Sequence, residues 1–85
     1  MKHAGAVALD QLEDLLSAIR ILPGPKERTR GVFYLRSKAF LHFHEDPAGL
    51  FADLRRDGDF ERFPVNTDGD KSVFLSAVRS ALGEP

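Results

Sequence analysis

Between residues 8 and 21 the apolar residues Leu9, Leu12, Leu16 and Ile19 recur at intervals of three and four, with Leu15 widening the stripe and Asp10, Glu13 and Asp14 set between them. A stripe of this period predicts an amphipathic helix over residues 8–21. The following "LPGPKERTRG", residues 22–31, places two prolines around a glycine, which cannot continue a helix, and then three basic side chains. It predicts an exposed, positively charged loop.

The period then shortens. "GVFYLRSKAFLHFHE" is dense in aromatic and β-branched residues and divides at Ser37-Lys38, predicting a hairpin of strands 32–36 and 39–45. A two-residue turn there sets Arg36 against Ala39, Tyr34 against Leu41 and Val32 against Phe43, and puts Phe33, Leu35, Phe40 and His42 on the opposite face. "DPAG" introduces a third strand, 50–54, and "RDGD" a fourth, 60–65, whose Pro64 suits an edge. In the last segment, residues 71–82, Val73, Phe74, Ala77, Val78, Ala81 and Leu82 line one face of a helix, and Thr67 with Asp70 has capping-box spacing. The pattern predicts an α+β domain over residues 1–85: an N-terminal helix, an antiparallel β-meander of three to four strands and a C-terminal helix, with the helices on one face of the sheet. Apolar side chains on both pleat faces of the hairpin leave one face needing a cover, for which a second copy of the chain, in a homodimer, is the simplest expectation.

Composition narrows the classes of function. An 85-residue chain builds a thin core, and with no cysteine neither disulfides nor Cys-ligated zinc can reinforce it. Hydrophobic residues at 42% and charged residues at 29% are ordinary for a folded globular domain, and no apolar run nears the ~20 residues of a membrane span. No targeting segment is legible, so the expected location is the cytoplasm. A net charge of -1 argues against a nucleic-acid partner. The charge is unevenly spread, however. Arg20, Lys26, Arg28, Arg30, Arg36 and Lys38 precede a stretch, residues 45–61, with six acids against Arg55 and Arg56. Arg28, Arg30, Arg36 and Lys38, together with His42 and His44, are therefore the expected contacts for a small anionic ligand or protein partner.

Candidate chemistry concentrates in "LRSKAFLHFHED". On an extended strand His42, His44 and Asp46 share one face at spacings of about 6.5 to 7 Å, a legitimate donor set for a divalent metal. His3, in an N-terminus expected to fray, is the remaining imidazole. The alternative, favoured on the sequence, is that these are strand histidines hydrogen-bonded to backbone or neighbouring side chains. No nucleophile elbow or phosphate loop accompanies them, and acid-base work by His42 or His44 with Glu45 or Asp46 has no motif behind it, so no catalytic residue and no cofactor are assigned. The two "DGD" triplets are too short for a calcium loop and read as turn and cap chemistry. Phe33, Tyr34, Phe40 and Phe43 read as core or dimer interface rather than as base-stacking platforms.

The run "FYLRSKAFLHFHEDPAGLFADLR", followed by "ERFPV" and an amphipathic terminal helix, resembles small bacterial domains of the luciferase-domain family, in which a histidine-x-histidine strand precedes a turn and an Asp-Leu strand, here His42, His44, Asp46, Asp53 and Leu54. Its layout is also similar to the MmcQ/YjbR group of CyaY-like domains, through the hairpin residues Ser37, Lys38, Ala39 and Phe40. Either resemblance implies a fold rather than a reaction. The expectation for function is a non-enzymatic binding or interaction module that self-associates, with a small enzyme or metal-binding domain using His42, His44 and Asp46 as the alternative.

Overall fold

A computed structural model describes residues 2–83. In chain order it contains β1 (Lys2–His3), α1 (Ala6–Gln11), α2 (Glu13–Arg20), β2 (Lys26–Thr29), β3 (Val32–Leu35), β4 (Lys38–Asp46), β5 (Gly49–Arg56), β6 (Asp59–Pro64) and α3 (Asp68–Ala81). The strands form one antiparallel sheet ordered β2-β3-β4-β5-β6, and β1 pairs with β4 beyond the point where β3 ends. The fold is the expected α+β arrangement, with six strands instead of three or four. No helix among the described residues is long and apolar enough to cross a membrane.

Strand parity explains which face is buried. On β4, Leu41 and Phe43 are at most 2% exposed, and opposite them on β5 Leu54 and Ala52 are fully buried. They meet Leu9, Leu12, Leu15, Leu16 and Ile19 of the N-terminal helices and Phe74 and Val78 of α3 in one apolar cluster. Residues of the other parity, His42, His44 and Asp53, leave through the opposite face.

The hairpin departs from its expected register. Its turn is Arg36-Ser37, one residue earlier than Ser37-Lys38, and both residues adopt positive φ, 54° and 76°, as a type I′ turn demands. Val32 therefore faces His42, and Phe33 faces Leu41. The pairing then jumps so that Tyr34 faces Ala39, leaving Phe40 as a bulged extra residue. The bulge turns Phe40 into the core, 4% exposed, away from the face on which it was expected to accompany His42. The second face is consequently not apolar. It is mixed, carrying His42, His44, Asp53 and Arg62 beside Val32, Phe51 and Phe60.

Three further corrections concern the flanks. The helix expected over residues 8–21 is divided at Leu12, whose N–H bonds the Leu9 carbonyl at 3.1 Å, a tighter i−3 turn, and whose φ and ψ are -100° and 5°. The apolar stripe survives the break, because all five of its leucines and isoleucine are buried. Within the expected loop, residues 26–29 pair with β3 as an edge strand, its charged side chains making it look like a loop while they blunt the open edge. Gly31, at φ 82°, lets that strand turn over the helix, since a Cβ there would stand 2.6 Å from Leu9 Cδ2.

At the other end, α3 begins at Asp68, three residues before its expected start. Thr67 caps it as expected: its hydroxyl accepts from the Asp70 N–H at 3.0 Å while the Asp70 carboxylate accepts from the Thr67 N–H at 3.2 Å. The buried face runs through Phe74 and Val78, whereas Val73, expected on that stripe, is 62% exposed.

Candidate metal centre

The open face of β4 presents His42 and His44, and β1 brings a third imidazole beside them. His3 pairs with His44 and Lys2 with Glu45. The two-residue strand is fastened by Ala4 N–H to the Phe43 carbonyl at 3.1 Å, Gly5 N–H to Glu45 Oε2 at 3.0 Å, and a Lys2–Glu45 ion pair at 3.2 Å. The terminus expected to fray is thus part of the sheet. Ring centroids lie 4.9 Å apart for His3 and His44, stacked, and 4.8 Å for His42 and His44, edge-on. One ligating nitrogen from each of the three histidines lies within 4.8 Å of the others.

These imidazoles are not the hydrogen-bonded strand histidines that the sequence favoured. Nδ1 of His42 and both ring nitrogens of His44 are shielded from solvent and make no hydrogen bond among the described residues. His44 Nε2 lies 3.2 Å from Asp53 Oδ2, at an approach too oblique for a hydrogen bond. Burial, and then the neighbouring His44, push the His42 pKa down, which favours the neutral imidazole that ligates metals.

Asp53 is the only buried charged residue among those described, 7% exposed. It stands opposite His42 on one side and Arg62 on the other. Arg62 donates to both its oxygens, at 2.7 and 2.8 Å, and this bidentate pair holds the carboxyl below its usual pKa against the opposing effect of burial. Phe60 closes the adjoining side, its ring 4.8 Å from His42 and under the Arg55 guanidinium.

Three nitrogens around one point are the protein share of an open tetrahedral site or one face of an octahedral one. Tetrahedral ligation at ordinary Zn–N lengths needs nitrogens about 3.3 Å apart, so side-chain rotations of roughly an ångström close the set. The neutral imidazole donors suit zinc, copper, nickel or iron and not calcium or magnesium.

The residues picked out on the sequence are distributed more widely. Asp46 does not join the histidine cluster, and its Oδ1 accepts from the Ala48 N–H at 2.7 Å, an Asx turn. Arg30 is paired with Asp10 and Glu13, and Arg28 lies over the Tyr34 ring. Arg36 and Lys38 border an open hollow of about 830 Å³ between the two hairpin tips and the end of α3, a hollow that Phe60 shares with the histidine cluster. Asp57, Asp59 and Glu61 also line it, the last paired with Arg56.

Sequence reasoning missed Arg62 and the strand pairing that brings His3 beside the histidine strand, and Asp53 entered it only through the family resemblance. Asp53 carried a signal, a lone acid between the inward-facing Ala52 and Leu54 of an alternating strand. A two-residue strand such as β1 gives none. No protein-family model matches the chain, and searches of curated proteins and of solved structures found no significant match.

Proposed function

We propose that this protein is a binding module for a divalent transition metal, with His3, His42 and His44 as its ligands. The observation that carries this reading is the convergence of three imidazoles whose nitrogens lie within 4.8 Å of one another while the buried ones lack hydrogen-bond partners. Polar atoms shielded from water without a partner cost about 1–3 kcal/mol each, a cost that coordination removes. Asp53 acts behind the ligands, its carboxylate beside His44 providing fixed negative charge and Arg62 keeping it in place. The histidine-x-histidine strand on which the resemblance to the luciferase-domain family rests is the strand that supplies two of the three ligands.

Calorimetric titration of the metal-free chain with zinc tests the proposal. One equivalent should bind, and each of the variants His3→Ala, His42→Ala and His44→Ala should lose affinity by at least a hundredfold. Titration heats equal to the buffer blank, or undiminished affinity in the triple variant, would overturn it.

A further inference from the structure

Three neutral imidazoles offset none of the charge on a divalent ion. The charged side chains around them already have partners. Asp53 gives both oxygens to Arg62, Asp46 is engaged by the Ala48 amide, and Arg55 lies across Phe60 with its Nε donating to the Ala39 carbonyl at 2.7 Å. These four side chains carry two negative and two positive charges, so the face is balanced before an ion arrives and in excess by two afterwards. Asp53 Oδ2 stands 3.2 Å from His44 Nε2, and both Asp53 oxygens accept from Arg62. Arg62 itself is half exposed, and its Nη1 donates no hydrogen bond among the described residues.

We infer that the ion held by His3, His42 and His44 takes its remaining ligand from solution, as a small oxyanion of the carboxylate or phosphate type, favoured by the positive charge of the neighbouring Arg62. This inference rests on the metal-binding reading above. It assigns the pair Asp53–Arg62 a second duty, namely to keep the local charge neutral so that an incoming anion, and not a protein carboxylate, completes the coordination.

Cobalt(II) makes the test visible. The full chain, loaded with one equivalent of cobalt, is titrated separately with acetate and with inorganic phosphate, and the visible absorption bands are followed. The bands should shift to saturation with at least one of the two anions, and which of them acts identifies the ligand class. Anion affinity should rise in Asp53→Asn, fall in Arg62→Gln and return to the wild-type value in the double variant, by roughly three- to tenfold per unit of charge. The double variant keeps the comparison usable should Arg62→Gln alone fold poorly. Bands unmoved by either anion, or an affinity indifferent to these charges, would overturn the inference while leaving metal binding intact. Failure of the cobalt bands to form at all would count against the metal-binding reading itself.

Discussion

Phe40 and His42, two residues apart on β4, leave the sheet through opposite faces, because the bulge at Phe40 breaks the alternation that would have put them together. One belongs to the core and the other to the histidine cluster. Phe40→Ala should therefore cost about 3–4 kcal/mol of unfolding free energy, as truncation of a buried phenylalanine does. His42→Ala in the metal-free protein should cost under about 1 kcal/mol, since the ring nitrogen it removes has no bond to lose. Urea unfolding of the two variants checks the contrast, and equal effects would contradict the assignment of faces.

Asp46 and His3 exchange roles between sequence and structure. Asp46→Asn should leave zinc affinity within about twofold of wild type, whereas His3→Ala should reduce it by two orders of magnitude or more. A calorimetric ranking in the reverse order would restore the sequence-based ligand set of His42, His44 and Asp46.

The Asp53–Arg62 pair is asymmetric in exposure, with Asp53 at 10% and Arg62 at 48% of their side-chain surfaces. Removing arginine strands a shielded carboxylate, while removing the acid frees an arginine to reach water. Arg62→Ala should accordingly lower the urea midpoint more than Asp53→Asn does.

Acid should destabilise the metal-free protein in two stages. The His42 pKa is depressed by burial and by His44, so its contribution is present above the unfolded value of 6.5 and is lost as pH falls through the lower folded value. Glu27, held down by Arg20, Asp53, held down by Arg62, and Glu13, lowered to about 2 by Arg30 and Arg20, contribute above the ordinary carboxylate range and lose that contribution as pH falls further. All four act with the same sign: the unfolded chain binds more protons. Urea midpoints measured from pH 8 to pH 3 should fall throughout, and His42→Gln should flatten the upper part of the curve alone. A midpoint that rises between pH 7 and pH 5 would show that the histidine sign is wrong.

Thr67→Ala removes the hydroxyl that caps α3 and should cost about 1 kcal/mol. Thermal unfolding followed by circular dichroism would show this as a drop in Tm of about 4–8 °C for a domain of this size.

How far the sequence carried depended on how local each determinant was. The α3 cap was legible because Thr67 and Asp70 are three residues apart and act on the backbone between them. The alternation of β4 was legible for a similar reason, since Leu41 and Phe43 declare one face and His42 and His44 the other. The Phe40 bulge was not, because it arises from the turn closing at Arg36-Ser37 rather than a residue later, a choice that requires positive φ at two residues with no preference for it. β2 was hidden by its charges, which serve an edge strand as well as they serve a loop. His3 was furthest from view, since the two-residue strand that carries it exists only as a partner of β4, and nothing in its own neighbourhood announces that pairing.

The strand β1 has one more consequence. His3 lies about 40 residues before His42 and His44, and the intervening chain contains α1, α2, β2 and β3. An ion shared by these histidines is a reversible cross-link that closes this long loop, and tethering a loop of that length removes about 4 kcal/mol worth of denatured-state freedom at 25 °C. For a domain with a thin core and no cysteine, coordination would act in the place a disulfide occupies elsewhere, as a staple that a chelator opens and added metal recloses without any redox chemistry.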